Sequence, residues 1–414
     1  MQTPQVDRHD PKPTADRSTL VLIGPSVRAA AESARAAGYL VHAIDFYGDR
    51  ETLAASHRWT NLEDFRRQLR LSKNGSDSGG DRSSGEPELC ENRPLCENRP
   101  NDGLVKLLPV ATSFCVVGGF ADGYDWLEPL EPQISSAYGS AALAEVFAAS
   151  TDPILLSAIA AEAGVEFPNF RQQGRVPHRW LLKKRTSSGG LGVSVAADDG
   201  RIAEDSFAQQ RVRGPVFGAT LVTEGGRVSL LGVCRLLKKR LTGRPFVFAG
   251  AIGPLKIAKD VSDAVIRLAD CWLRRFRMTG PLNIDFIIDP RTGRIWLLEI
   301  NPRYSATMEL IERAENDGDG PMLSLLGDPA LVLRQQRSSE RPVFVKRTLF
   351  ARHDQSISAE QFEADVGSTK LKDFCWKDTP AQSAMIPAGA PIATMIYRFE
   401  ADRWKRDHRV RTLP

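Results

Sequence analysis

Two apolar runs that carry acids constrain this chain more than any other feature. Asn283-Ile284-Asp285-Phe286-Ile287-Ile288 leads through Asp289-Pro290-Arg291-Thr292-Gly293 into Ile295-Trp296-Leu297-Leu298-Glu299-Ile300-Asn301-Pro302-Arg303. The flanking runs have strand character, and the middle segment has the composition of a hairpin turn. Side chains alternate faces along a strand, so Glu299 and Asn301 share one face, Arg303 follows two residues on, and Asp285 meets them from the neighbouring strand. Two carboxylates and an amide in an apolar hairpin repel and lose hydration unless a cation sits between them. Mg²⁺ (or Mn²⁺) suits hard oxygen donors that also hold phosphates, which makes Asp285, Glu299 and Asn301 the candidate metal ligands. The fork of Arg303 suits a carboxylate or an acyl phosphate beside that ion. A surface hairpin with solvated acids is the alternative, and the apolar flanks disfavour it.

A second signal is Trp180-Leu181-Leu182-Lys183-Lys184-Arg185-Thr186-Ser187-Ser188-Gly189-Gly190-Leu191-Gly192-Val193. A strand carries a lysine into a Ser/Gly loop whose backbone N–H groups approach anionic oxygens without Cβ interference. Taken alone, such a turn is balanced between a phosphate cradle and an ordinary hairpin. The P-loop pattern is absent, and Lys184 and Arg185 are either part of the cradle or solvated turn charges.

At 414 residues and 42% hydrophobic the chain is long enough for two or three domains. A net charge of +4 is far weaker than the footprint of a nucleic-acid binder, so no nucleic-acid partner is expected. Six scattered cysteines without a CxxC pair argue against a zinc site or a disulfide framework and for a reducing cytoplasm. No apolar run is long enough to span a bilayer, so no membrane segment is expected.

Residues 1–18 read as a disordered tail. Leu20–Ile23, Val27–Ala37 and Tyr39–Ile44 read as a parallel βαβ unit, the start of a domain over 19–135 that resumes as a strand at Ser113–Val117. It is interrupted at 72–103 by a polar segment that contains LCENRP twice and reads as a disordered insertion. A helical pattern spans Ser140–Ala163 and opens a second unit over 136–335. Short β-like runs over 340–414 suggest a small terminal β domain.

The hairpin and the glycine-rich loop together resemble the ATP-grasp superfamily over about residues 105–330. The resemblance implies an α/β and α+β multidomain chain: a Rossmann-like pre-ATP-grasp domain, a two-lobed ATP-grasp domain and a small C-terminal β domain. It also implies ATP and Mg²⁺ as cofactors, with Lys183, Ser188, Gly189, Gly190, Gln210, Val212 and Asn283 as nucleotide-binding residues and Lys183 and Arg303 as catalytic ones. Gln209-Gln210-Arg211-Val212 looks like the adenine-contacting hinge, although members more often carry an acid where Gln210 stands. Gly24-Pro25-Ser26-Val27-Arg28 would face the acceptor substrate. Within the superfamily the chain is similar to the proteins of methanopterin- and methanofuran-type one-carbon cofactor pathways, on Arg28-Ala29-Ala30, Phe246–Pro254 and Pro387–Ile392.

The implied chemistry is a carboxylate–amine ligation. A carboxylate attacks the γ-phosphate, and an amine then displaces phosphate from the acyl phosphate, so ATP, a small carboxylate and an amine are the expected partners. The resemblance leaves room for a homodimer. The rival readings are a catalytically inactive ATP-binding regulatory subunit and an ATP-grasp phosphotransferase. Arg235 is either a further phosphate contact or a surface charge, and Lys238-Lys239-Arg240 either meets a polyanion or is a solvated turn. No histidine lies near a Ser or Cys elbow, which argues against a hydrolase triad.

Overall fold

The computed structural model describes residues 18–74, 108, 113–120, 122–133, 143–196, 200–317, 323–334, 341–362 and 374–399. The expected N-terminal tail lies outside them, as does the polar insertion beyond Asn74, with Cys90 and Cys96.

The chain opens with β1 (Thr19–Ile23), α1 (Arg28–Ala36), β2 (Leu40–Asp45), α2 (Arg50–Ala55), β3 (Arg58–Asn61), α3 (Leu62–Asn74) and β4 (Ser113–Val116). The four strands form a parallel sheet in the order β3-β2-β1-β4. A parallel sheet is covered on both faces, which is why β1 reads as an unbroken apolar run. Val21 and Ile23 pack toward Phe65 and Leu69 of α3, whereas Leu20 and Leu22 pack toward Ala30, Ala31 and Ala34 of α1. At the carboxyl ends of β1 and β4 the backbones nearly touch. A Cβ on Gly24 would lie 2.0 Å from the Val117 carbonyl oxygen, so only glycine fits there.

The helix expected over Ser140–Ala163 is two helices, α4 (Leu143–Ala149) and α5 (Pro153–Ala163). The break is chemical: Asp152 caps α5 by accepting from the Ile154 N–H at 3.0 Å, and Pro153 follows at the first turn, where it has no N–H to lose. The pair bends by 68°, and no single helix among the described residues is long and apolar enough to cross a membrane.

Next come β5 (Phe170–Arg171), β6 (Leu181–Lys184), β7 (Val193–Val195) and β8 (Ser206–Gln209), a four-stranded antiparallel sheet that forms a small lobe. The remaining elements are β9 (Val216–Glu224), β10 (Arg227–Leu241), β11 (Arg244–Leu255), α6 (Lys259–Leu273), β12 (Gly280–Ile288), β13 (Ile295–Asn301), α7 (Met308–Glu315), α8 (Pro329–Arg334), β14 (Phe344–Phe350), β15 (Gln355–Ile357), β16 (Phe374–Lys377), β17 (Ala384–Ile386) and β18 (Pro391–Arg398). Eight of these strands make one antiparallel sheet, β13-β12-β9-β10-β11-β14-β18-β16. The β-rich C-terminal segment therefore continues the central sheet through the pairing of β11 with β14, and it carries β15 and β17 as a separate two-stranded ribbon. The amphipathic α6 buries Trp272, Leu268 and Val265 against Ala219, Leu221 and Phe286 on one face of the sheet. On the other face lies α7, so close that a Cβ on Gly232 would fall 2.7 Å from Ile311.

A buried ion network joins α1, α7 and the C-terminal strands. Arg28, 1% exposed, donates to both carboxylate oxygens of Glu309, to Glu32 at 3.0 Å and to Asp378 at 2.9 Å. Lys346 of β14 donates to Glu309 at 2.8 Å. Arg28 is thus committed to protein carboxylates, which corrects its expected place facing the acceptor. Removing one partner strands the others in low dielectric. Arg28→Met is expected to lower unfolding free energy by about 3–5 kcal/mol, read from denaturant midpoints, whereas replacing the exposed Arg67 should change it by less than about 0.5 kcal/mol.

Candidate active site

The acid hairpin folds as its alternation requires. Asp285 pairs with Glu299 and Asn283 with Asn301, and a bulge follows Asp285, so four oxygen-bearing side chains gather on one face. The Asn283 amide donates to Asp285 Oδ1 at 2.8 Å, and the Asn301 amide donates to Glu299 Oε1 at 3.0 Å and to Asp285 Oδ2 at 3.5 Å. Thr307 Oγ1 fixes Asn283 by donating to its Oδ1 at 3.2 Å. Beside them Gly218 leaves the floor bare: a Cβ there would stand 3.1 Å from Asp285 Oδ1 and 3.3 Å from Asn283 Oδ1.

Burial and the neighbouring Glu299 charge push Asp285 well above the usual carboxylate range. Burial also opposes ionisation of Glu299, but hydrogen bonds from Asp285 and Asn301, with Arg303 and Lys183 nearby, hold it below its ordinary value. A proton shared by the two carboxyls is therefore held more tightly than on an ordinary carboxylate when nothing else neutralises the pair. A divalent cation would supply that neutralisation, and the chemistry of Asp285 and Glu299 with an amide oxygen of Asn301 or Asn283 fits one. The described residues hold no cluster of three His, Cys, Asp or Glu side chains, so the remaining ligands would come from phosphate oxygens and water.

Lys183 lies on β6 of the small lobe. Burial lowers its pKa, and the charges of Glu299 and Asp285 partly restore it, which sets its ammonium in the field of the hairpin. The loop after β6 is docked: Gly189 (φ 62°) accepts from the Phe248 N–H at 2.8 Å, and Gly190 (φ 74°) leaves room for no Cβ, which would meet the Phe246 carbonyl oxygen at 2.0 Å. Lys184 and Arg185 turn elsewhere, to Asp205 at 3.5 Å and to Gln172 at 2.7 Å.

The N-terminal unit was expected to contribute through Gly24–Arg28, and its contribution through Gly119 was not legible in the sequence. The position a Cβ of Gly119 would take lies 2.5 Å from Ser188 Oγ and 3.1 Å from Arg303 Nη2, so a hydroxyl and a guanidinium converge on a small space over a glycine. Among the described residues the Arg303 side chain has no hydrogen-bond or ion-pair partner, and its Nε is buried and unpaired. Such an arginine has hydrogen-bonding capacity that an anion could fill. Tyr124, stacked on Phe147 at 4.1 Å, flanks this space; burial raises its phenol pKa while Arg303 lowers it.

The hinge segment follows β8. Gln210 is exposed, donates its N–H to the Asn169 carbonyl at 2.7 Å and accepts from the Asn169 amide at 3.0 Å, so it is already engaged; Val212 is half-buried. Gln209, 1% exposed, leaves its side-chain amide nitrogen unpaired. Arg211 and Lys238 both stand over the Phe246 ring, at 5.6 and 5.4 Å. Register explains Lys238: Cys234 pairs with Gly218, so Cys234, Leu236 and Lys238 share the face of Asp285. By the same count Arg235 points to the opposite face, away from the hairpin acids, which favours its reading as a surface charge.

The ATP-grasp domain family matches residues 154–307. No curated protein sequence matches the chain. Among solved structures the chain is similar to the L-amino acid ligase of Bacillus licheniformis, at 12% identity and a TM-score of 0.60, covering 96% of this chain and 97% of that one. It is also similar to N5-carboxyaminoimidazole synthetase of Staphylococcus aureus complexed with ADP, at 12% identity and a TM-score of 0.59 over 95% and 96% of the two chains. A third likeness is to phosphoribosylglycinamide synthetase of Anaerococcus prevotii, at 13% identity and a TM-score of 0.57 over 95% and 98%.

Because a cation competes with the proton that burial and Glu299 hold on Asp285, binding of Mg²⁺ with nucleotide is expected to release protons and to tighten as pH rises. Titration calorimetry in buffers of different ionisation enthalpy reads this count. Asp285→Asn should abolish the release, and heats independent of buffer for the unaltered protein would refute the shared proton.

Proposed function

From a chain that carries an ATP-grasp domain, in the fold of ATP-grasp ligases, we propose an ATP-dependent ligase that joins a carboxylate to an amine through an acyl phosphate, releasing ADP and phosphate. The observation that carries this reading is the unpaired Arg303, facing Ser188 across Gly119 and following directly on the acid hairpin.

In this reading Lys183 and the N–H groups around Ser188, Gly189 and Gly190 hold the phosphates, and Gln210 and Val212 line the adenine pocket. Asp285, Glu299 and Asn301 would hold Mg²⁺, which would supply charge neutralisation at the phosphates. Arg303 orients the substrate carboxylate so that one oxygen attacks the γ-phosphorus as ADP leaves. It then stays on the acyl phosphate while the amine attacks the carbonyl carbon and phosphate departs. Positioning and charge neutralisation suffice for both steps, and no protein nucleophile is required. A half-buried arginine whose Nε is buried and unpaired favours turnover over a purely regulatory ATP-binding role, which has no use for an anion site beyond the nucleotide.

The unit over 19–135 would bring the acceptor, since its loops at the carboxyl ends of β1 and β4 border the Arg303 cradle and lie at the point where the strand order reverses. Residues 136–335 would bind nucleotide, and 340–414 would extend the sheet. The finer reading, a place in methanopterin- or methanofuran-type one-carbon cofactor assembly, is supported by the likeness at Phe246–Pro254 and Pro387–Ile392. A reducing cytoplasmic setting is supported by Cys115, Cys234, Cys271 and Cys375, which are unpaired.

The test is release of ADP that depends on both a carboxylate and an amine, screened across amino acids and small amines. Arg303→Ala is expected to lower kcat/KM by a factor of about 10²–10³, the loss of one preorganised donor to a developing anion, with ADP affinity held within about twofold. Gly119→Ala, whose methyl would fill the cradle, should act in the same direction. Full turnover in either variant would remove the assignment.

A further inference from the structure

Arg303 is held by its neighbour. The segment that leaves β13 crosses to the N-terminal unit at one residue, Tyr304. Its N–H donates to the Val116 carbonyl at 3.2 Å, and its carbonyl accepts from the Gly118 N–H at 3.1 Å. Tyr304 thereby continues the edge of β4 for one residue, in a parallel bridge with Val117. Arg303 before it and Gly119 beyond the bridge are the two groups that face each other across the anion cradle. On the other side, the Arg303 N–H is tied to the Asn301 carbonyl at 2.9 Å. The distance between the hairpin acids and the cradle thus depends on where Tyr304 sits.

What holds Tyr304 is a carboxylate buried for no purpose the reaction explains. The ring is 1% exposed, and its hydroxyl donates to Glu312 Oε2 at 2.6 Å. Glu312, 8% exposed on α7, also accepts at Oε1 from the Leu325 N–H at 2.8 Å and from the Ser33 hydroxyl of α1, which in turn lies 2.8 Å from Ser324 Oγ. An apolar pair of the same shape would fill this space at lower desolvation cost, so retaining a fully bonded carboxyl points to a demand for one geometry. Burial pushes Glu312 up to about 7, and its own neighbour Glu309 adds to that.

We infer that Tyr304 and Glu312 are positioning residues: their hydrogen bond, anchored on α1 through Ser33, sets Arg303 against Gly119 for the phosphoryl and acyl transfer steps. The role assigned to Arg303 rests on the ligase reading; the clamp is tested separately from it.

The test compares affinity for ADP with affinity for ADP plus aluminium fluoride, a mimic of the transferring phosphoryl group, by calorimetry on the full chain with Mg²⁺. In Tyr304→Phe, ADP is expected to bind as in the parent, while the gain from aluminium fluoride falls about tenfold or more, the worth of one hydrogen bond to a charged group. Glu312→Gln should reproduce the loss, and the double variant should be no worse than either single one, because both act through the same bond. Should Tyr304→Phe fail to fold, Glu312→Gln carries the comparison. An unchanged gain, an equal loss for ADP alone, additive losses, or a parent protein that gains nothing from aluminium fluoride would each overturn the clamp. The ligase reading fails on a different result: no carboxylate- and amine-dependent ADP release by the parent.

Discussion

Everything at the candidate site depends on the repulsion between Asp285 and Glu299. Two carboxylates placed side by side on a half-buried sheet face cannot both be charged in the absence of a counter-ion. The fold meets this first with donors: the Asn283 and Asn301 amides, with Lys183 and Arg303 at greater range. These offset only part of the cost, since Asp285 still holds its proton well above the usual carboxylate range. The site is therefore short of positive charge, a deficit that a cation arriving with polyphosphate would fill.

Close packing at glycines lets three parts of the chain meet over this deficit. Gly218 leaves the sheet floor open beneath the acids, Gly190 docks the loop of the small lobe on β11, and Gly119 lets the N-terminal unit reach Ser188 and Arg303. Each lacks a Cβ for a different reason: room for the Asp285 and Asn283 side chains at Gly218, backbone contact at Gly190, and a converging hydroxyl and guanidinium at Gly119. Helix α7 then fixes the arrangement from behind, with Glu309 receiving Arg28 and Glu312 receiving Ser33 and Tyr304.

The hairpin, its acids and the glycine-rich loop were legible because period-two alternation and turn composition are local properties. So were β1, α1 and β2. What was not legible depended on register or on distance along the chain. Lys238 and Arg235 sit three residues apart on one strand, and only the pairing of Cys234 with Gly218 tells which of them shares the acid face. Arg28 looked like a ligand-facing charge after a strand, and nothing in its neighbourhood announced carboxylates from α7 and the C-terminal strands. The break at Asp152-Pro153 was a readable signal, since a capping residue before proline marks a helix start even inside an apolar run.

The network around Arg28 has a consequence for how the chain reaches its native state. Its partners Glu309 and Asp378 lie 281 and 350 residues downstream. During synthesis the N-terminal sheet emerges first, with a guanidinium that has Glu32 of its own helix beside it but lacks the carboxylates of Glu309 and Asp378 until most of the polypeptide has been made. That unit must wait, α1 only loosely seated, for α7 and the strand that carries Lys377. Final consolidation of the N-terminal unit is thus a late event in biogenesis, and nascent chains halted before Glu309 would present α1 to the cell's folding assistants and proteases.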